Sequence, residues 1–186
     1  MTVEETLREA ETKMKAAVSV AQDELASLRT GRANARLLDR VLFEYYGTQT
    51  PLKQMATFSV PEPRLLVIQP FDKNAIGAME KAIMTSDLGL TPSNDGNVIR
   101  LAFPALTEER RKDLTKVAHH RAEEGRVSVR NVRRHSKESL ERLEKAGQIS
   151  EDDLRRAERE LQRLTDHFIE EIDGLLEHKE KELMEV

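Results

Sequence analysis

The sequence predicts an α+β protein: an elongated antiparallel three-helix bundle, residues 1–30 and 105–186, carrying a small β/α/β domain inserted at 31–104. Three observations predict it. Apolar residues recur at spacings of three and four before residue 30 and again after residue 105. Between those stretches the pattern shortens into β-rich runs broken by turn residues. Charged residues make up 34% of the chain and aromatics only 4%, which suits solvated helices with narrow apolar seams better than a thick core.

Residues 3–28 read as the first helix, with Val3, Leu7, Ala10, Met14, Ala17, Ala21, Leu25 and Leu28 on one seam and Thr30-Gly31 as its stop. The insert follows. Val41 to Tyr46 is rich in strand formers, and Gly47-Thr48 turns it back toward Thr50-Pro51-Leu52. Met55 to Val60 alternates, Pro61 to Arg64 is a turn, and Leu65 to Ile68 is a buried strand. Residues 74–86 form a short helix capped by Asn74, with Ile76, Met79, Ala82 and Ile83 inward. Thr91-Pro92-Ser93 and Asp95-Gly96 bracket a turn before a last strand, Asn97 to Leu101.

After Phe103-Pro104 the helical period returns. Thr107 caps a second long helix whose seam is Leu114, Ala118, Ala122, Gly125, Val129, Val132, Ser136, Leu143 and Ala146. Gly147 ends it. Ser150 starts the third, with Leu154, Ala157, Leu161, Leu164, Phe168, Ile172, Leu175, Lys179 and Leu183 on its seam. Three such seams must bury one another. The second and third helices should be about 60 and 50 Å long. Thr30-Gly31 and Ala102-Phe103-Pro104, the two strands joining bundle and insert, are hinge candidates.

The second helix carries the run Arg126 to Lys137. At about 100° per residue, Arg126, Arg130, Arg133, Arg134 and Lys137 share an arc of roughly 100°, away from the seam. No acidic residue lies inside the run. Such a stripe fits a surface that meets phosphate. The bland alternative is a set of i±4 pairs with Glu123 and Glu138, but Arg130 and Arg133 have no acidic residue three or four positions away. The net charge of −4 hides this asymmetry. Residues 105–147 carry 12 basic and 8 acidic side chains, and residues 148–186 carry 6 and 13. Arg29 and Arg32, flanking the Thr30-Gly31 stop, fit capping or RNA contact equally well.

The chain has no Cys, which excludes thiol catalysis, disulfides and Cys-ligated metal. It has no phosphate-cradling Gly-rich loop and no Gly-x-Ser-x-Gly elbow. His119-His120, the only histidine cluster, points its rings about 100° apart and reads as a solvated pair rather than a metal site. Glu151-Asp152-Asp153 reads as first-turn carboxylates meeting a helix dipole. Tyr45-Tyr46 fits base stacking or, more simply, a β-rich core. Nothing points to an enzyme. No metal, cofactor, small-molecule substrate or membrane partner is expected; no apolar run approaches a bilayer span, and the N-terminus has no signal-peptide core. A cytoplasmic monomer is the simplest expectation.

Six segments, in order, resemble the ribosome recycling factor family: Leu28-Arg29-Thr30-Gly31-Arg32-Ala33; Val41 to Gly47; Glu80-Lys81-Ala82-Ile83 with Ser86-Asp87-Leu88-Gly89-Leu90; Leu106 to Leu114; Val129-Arg130-Asn131-Val132-Arg133-Arg134; and Ile149 to Asp153. The resemblance implies an L-shaped, tRNA-like body with a hinge. It implies a role after peptide release, with the bundle on 70S ribosomes, mainly against large-subunit rRNA. Elongation factor G with GTP would drive the insert so that the subunits part. The family's key arginines fall on Arg130 and Arg133, with Arg29, Arg32 and Arg134 in support. The chain departs from the pattern at His135, where many members have an acidic residue. The rival class is a coiled-coil adaptor, which would bind protein through its seam without salt sensitivity.

Overall fold

The computed structural model describes residues 1–185. In chain order its elements are α1 (Val3–Ala26), β1 (Leu42–Tyr45), β2 (Thr48–Pro51), β3 (Ala56–Glu62), β4 (Leu65–Pro70), α2 (Ile76–Thr85), β5 (Pro92–Asn94), β6 (Ile99–Ala102), α3 (Glu108–Lys145) and α4 (Glu151–Met184). They form two compact units, Met1–Arg29 with Thr107–Val186, and Thr30–Leu106. The first is all helical; the second holds every strand.

In the helical unit α1, α3 and α4 pack on one another in all three pairings. Side-chain contacts fix the directions. Arg121 meets Glu24 of α1, and a Cβ at Gly125 would meet Ala21, so α1 and α3 run antiparallel. Arg126 meets Asp173 and Lys137 meets Glu158, so α3 and α4 are antiparallel too. The 38 residues of α3 and 34 of α4 make rods of about 57 and 51 Å. Each helix starts on a side-chain cap: Thr2 and Ser150 form capping boxes with Glu5 and Asp153, and Thr107 accepts from Arg110 N–H. Hydrogen bonds from Ser150 hold the Asp153 carboxyl below its ordinary range. The turn from α3 to α4 is a Schellman stop. Gly147 takes a φ of +71°, while Gln148 N–H donates to Leu143 O and Gly147 N–H to Glu144 O.

The seams differ from the sequence expectation in detail. α1 ends at Ala26, capped by Ser27, so Leu28 lies beyond it. Leu140 is fully buried on α3, whereas Ala146 is its exposed cap. On α4 the buried leucine is Leu176, and Leu175 is half-buried. Lys179 stays on the seam as expected, burying its stem while its ammonium reaches Glu182 at 3.4 Å.

The second unit contains a two-stranded sheet, β1-β2, and a four-stranded antiparallel sheet ordered β3-β4-β6-β5. Tyr46 and Gly47 join β1 to β2 with φ of 48° and 77°, the paired left-handed conformations of a tight hairpin turn. β3 runs on to Glu62 through Pro61, with an irregular register after Ser59, so the turn is Pro63-Arg64 alone. Pro92 lies within β5 rather than in a turn. Both prolines sit on edge strands, where a missing N–H costs no central ladder bond. The core gathers Phe43, Leu52, Leu66, Ile68, Met79, Ile83, Ile99 and Leu101. The N-terminal cap here is Asp72, not Asn74: its carboxylate accepts from Asn74 N–H and opens a short 3-10 turn leading into α2.

Candidate nucleic-acid interface

Gly125 lets α3 sit close to both neighbours, since a Cβ there would stand 3.0 Å from Ala21 Cβ and 3.2 Å from Ile172 Cδ1. With Gly125 and Val129 facing inward, helical rotation turns the basic run outward. Exposure follows angular distance from the seam. Arg126 and Arg133 lie nearest it and are partly covered; Lys137, Arg130 and Arg134 are exposed.

The five cations have unlike surroundings. Arg126 is the most enclosed, its side chain 18% exposed. Its Nε and one Nη hold Asp173 Oδ1 of α4 at 2.7 and 2.6 Å, and its other Nη holds Glu123 at 3.1 Å. Burial pulls its pKa down, but the bonds to Asp173 and Glu123 outweigh that and hold it above the ordinary range. Arg126 therefore ties α3 to α4, and its charge is matched within the bundle. Arg130 donates to the other oxygen of Glu123 at 3.0 Å. Bonds from Arg130 and Arg126 hold the Glu123 carboxyl below its ordinary range. Lys137 stands 3.8 Å from Glu141 and 3.6 Å from Glu158.

Arg133 is different. Its guanidinium donates to a neutral acceptor, Gln162 Oε1 of α4, at 2.9 Å. Arg134 has neither hydrogen bond nor ion pair among the described residues, and Glu138 lies toward His135, at 3.9 Å, rather than toward Arg134. By sequence spacing Arg130 and Arg133 are the two without an acidic neighbour, while Glu123 and Glu138 are within reach of Arg126 and Arg134. The structure leaves two without a carboxylate, Arg133 and Arg134, and a third, Arg130, exposed and half-claimed.

Sequence reasoning missed two kinds of partner. Glu123 lies seven residues before Arg130, two turns along the same face, and a search to i±7 would have found it. Gln162, Glu158 and Asp173 come from α4, and no periodicity within α3 signals them.

The other candidates scatter. Arg29 and Arg32 are exposed on the segment after α1. Thr30 and Gly31 lie on that segment, and a Cβ at Gly31 would meet Leu106 Cγ at 3.3 Å. Of the other hinge candidates, Ala102 pairs with Leu65 in β6, and Phe103 is buried and donates its N–H to Arg64 O. Those two belong to sheet and core, which leaves Pro104 to Leu106 as the return connector. Tyr45 is half-buried, its hydroxyl donating to Asp72 at 2.8 Å, while Tyr46 is 83% exposed and is no core residue. His119 and His120 are exposed and face Glu180 and Glu124 separately. Among the described residues no group of three or more acidic or histidine side chains is placed to hold a metal, and no helix is long and apolar enough to cross a membrane.

The ribosome recycling factor family profile matches residues 21–184. The chain belongs to the ribosome recycling factor family. It is 58% identical over 182 residues to the ribosome-recycling factor of Halalkalibacterium halodurans, covering 98% of each chain. It is 54% identical over 184 residues to that of Acidothermus cellulolyticus, covering 99% of this chain and all of the relative. A solution structure of a ribosome recycling factor matches with a TM-score of 0.78 at 49% identity, over 99% of this chain and 98% of that one. A second match, at TM-score 0.67 and 49% identity over both full lengths, is the T. thermophilus ribosome recycling factor described with E. coli elongation factor G on the E. coli post-termination complex. Factors of this family are not enzymes.

Proposed function

We propose that this protein recycles ribosomes. It binds the post-termination 70S ribosome and, with elongation factor G and GTP, promotes subunit separation and release from mRNA, so that ribosomes can reinitiate. Membership of the family supports that role. The bundle is the anchor, and it meets phosphates of large-subunit rRNA through Arg130, Arg133 and Arg134. The observation that carries this assignment is the pair Arg133 and Arg134, cations on a rigid 38-residue helix with no carboxylate partner. Lys137, Arg29 and Arg32 lend further positive charge, while Arg126 holds α3 in place.

Residues 31–104 act as the moved part. The connectors through Thr30 and Gly31 and through Pro104 bend as elongation factor G pushes. The protein works as a monomer in the cytoplasm, where bacterial ribosomes are, and needs no cofactor.

The test is co-sedimentation with 70S ribosomes and isolated subunits across a salt series, wild type beside Arg133→Ala and Arg130→Ala. Steeply salt-dependent binding to 70S and large subunits is expected, with the log–log slope shallower by about 0.7–0.9 for each lost contact. Binding unchanged in both variants would remove the stripe from the interface. No binding at any salt would return the chain to the adaptor class.

A further inference from the structure

Gln162 and Asp166 stand one turn apart on α4 and form a relay to the stripe. Arg133 Nη donates to Gln162 Oε1 at 2.9 Å, and Gln162 Nε2 donates to Asp166 Oδ1 at 2.8 Å. The chemistry fixes the orientation of the amide. A guanidinium only donates and a carboxylate only accepts, so Gln162 must turn its oxygen to Arg133 and its nitrogen to Asp166. Each neighbour thereby locks the amide against flipping.

The consequence for Arg133 is unlike that for the rest of the stripe. Glu123 holds Arg130 and Arg126, and Glu141 and Glu158 flank Lys137; each of these cations is held by a charge that offsets its own. Arg133 is held by a dipole. One of its five N–H donors is spent on Gln162, and its full charge and remaining donors stay available. An anchor that is both oriented and unneutralised has what phosphate contact requires: less side-chain freedom to lose on binding, and no carboxylate to displace.

We infer that Gln162, locked by Asp166, is a positioning residue that aims Arg133 at rRNA phosphate without neutralising it. This rests on the proposal that Arg133 meets rRNA. The experiment measures affinity for vacant 70S ribosomes and its salt slope, with the full chain carrying Arg133→Ala, Gln162→Glu or Gln162→Leu, alongside thermal melting. Gln162→Glu keeps the shape and pairs Arg133 with a carboxylate, but it gives up the N–H donated to Asp166 and sets two carboxylates one turn apart. A merely structural bond between α3 and α4 would leave ribosome binding unchanged, whichever way the melting temperature moves. Positioning without neutralisation predicts the opposite in binding: a slope shallower by about 0.7–0.9 and affinity down about five- to eightfold at 0.1 M salt, close to Arg133→Ala. Gln162→Leu keeps the charge but frees the side chain, so affinity falls about threefold with the wild-type slope.

Wild-type binding and slope in Gln162→Glu, with Arg133→Ala impaired, would overturn the inference and leave the anchor intact. Wild-type affinity in Gln162→Leu would overturn the positioning part. Wild-type behaviour in Arg133→Ala would instead overturn the anchor itself.

Discussion

Gly125 should be replaceable by nothing larger without loss of bundle stability, even though glycine is a poor helix former. Carbon pairs prefer about 3.5–4.0 Å, and an alanine Cβ would stand 3.0 Å from Ala21 Cβ and 3.2 Å from Ile172 Cδ1. The isoleucine methyl can rotate away. Ala21 Cβ is fixed to the α1 backbone, so α1 and α3 must part by roughly half an ångström. Overpacking of this kind costs about 2 kcal/mol, and alanine returns about 1 kcal/mol of helix propensity. Gly125→Ala is therefore expected to lose about 1 kcal/mol, lowering the melting temperature by about 2–4 °C. Gly125→Leu should lose about 3 kcal/mol. Thermal melting followed by helical circular dichroism measures both. The double variant Ala21→Gly with Gly125→Ala moves the methyl across the interface and should recover most of the crowding term. If Gly125→Ala alone melts above wild type, propensity has won, and the close approach of α1 to α3 does not limit the bundle.

Two further outcomes are expected. Arg126→Ala should lower stability by about 1 kcal/mol, since it breaks the tie to Asp173, yet leave the salt slope of ribosome binding at the wild-type value, because that charge is already matched inside the bundle; a shallower slope would place Arg126 on the RNA. Asp95 accepts from the backbone N–H groups of Val98 and Asn97 and from Arg100, and these bonds hold its carboxyl well below the usual range. A depressed folded-state pKa means its contribution is present above the ordinary aspartate value of about 4 and is lost as pH falls from there. Asp95→Asn should thus melt below wild type at pH 7, with the gap closing in melts taken below about pH 4.

The helices and the stripe were legible because both are properties of one helix seen along its axis. What lay beyond was whatever depends on a second element. Leu175 and Leu176 are adjacent, and heptad spacing selects Leu175. The helix buries Leu176, four residues after Ile172 as Ile172 is four after Phe168, and a strict heptad, which alternates steps of three and four, has no such pair of fours. Asn74 and Asp72 are both sound caps by composition. Asp72 takes the place because its second oxygen also receives the Tyr45 hydroxyl from β1, a contact that neither segment announces alone.

The same reason governs the stripe. Counted on α3 alone it holds five cations and no intervening acid. The strongly acidic 148–186 segment then looks like a separate feature that lowers the isoelectric point. Folded, part of that acidity is spent on the stripe: Asp173 takes Arg126, and Glu158 stands by Lys137. Those two cations occupy the side of the arc nearer α4, whereas Arg134, at its far edge, is out of reach of both α4 and the seam. The acidic helix therefore trims the stripe rather than cancelling it, and the place where it meets the stripe with an amide instead of a carboxylate is Gln162 against Arg133. A negatively charged chain can in this way keep a small positive patch on a rigid helix, whose few fixed cations suit local contacts better than a diffuse attraction to every polyanion.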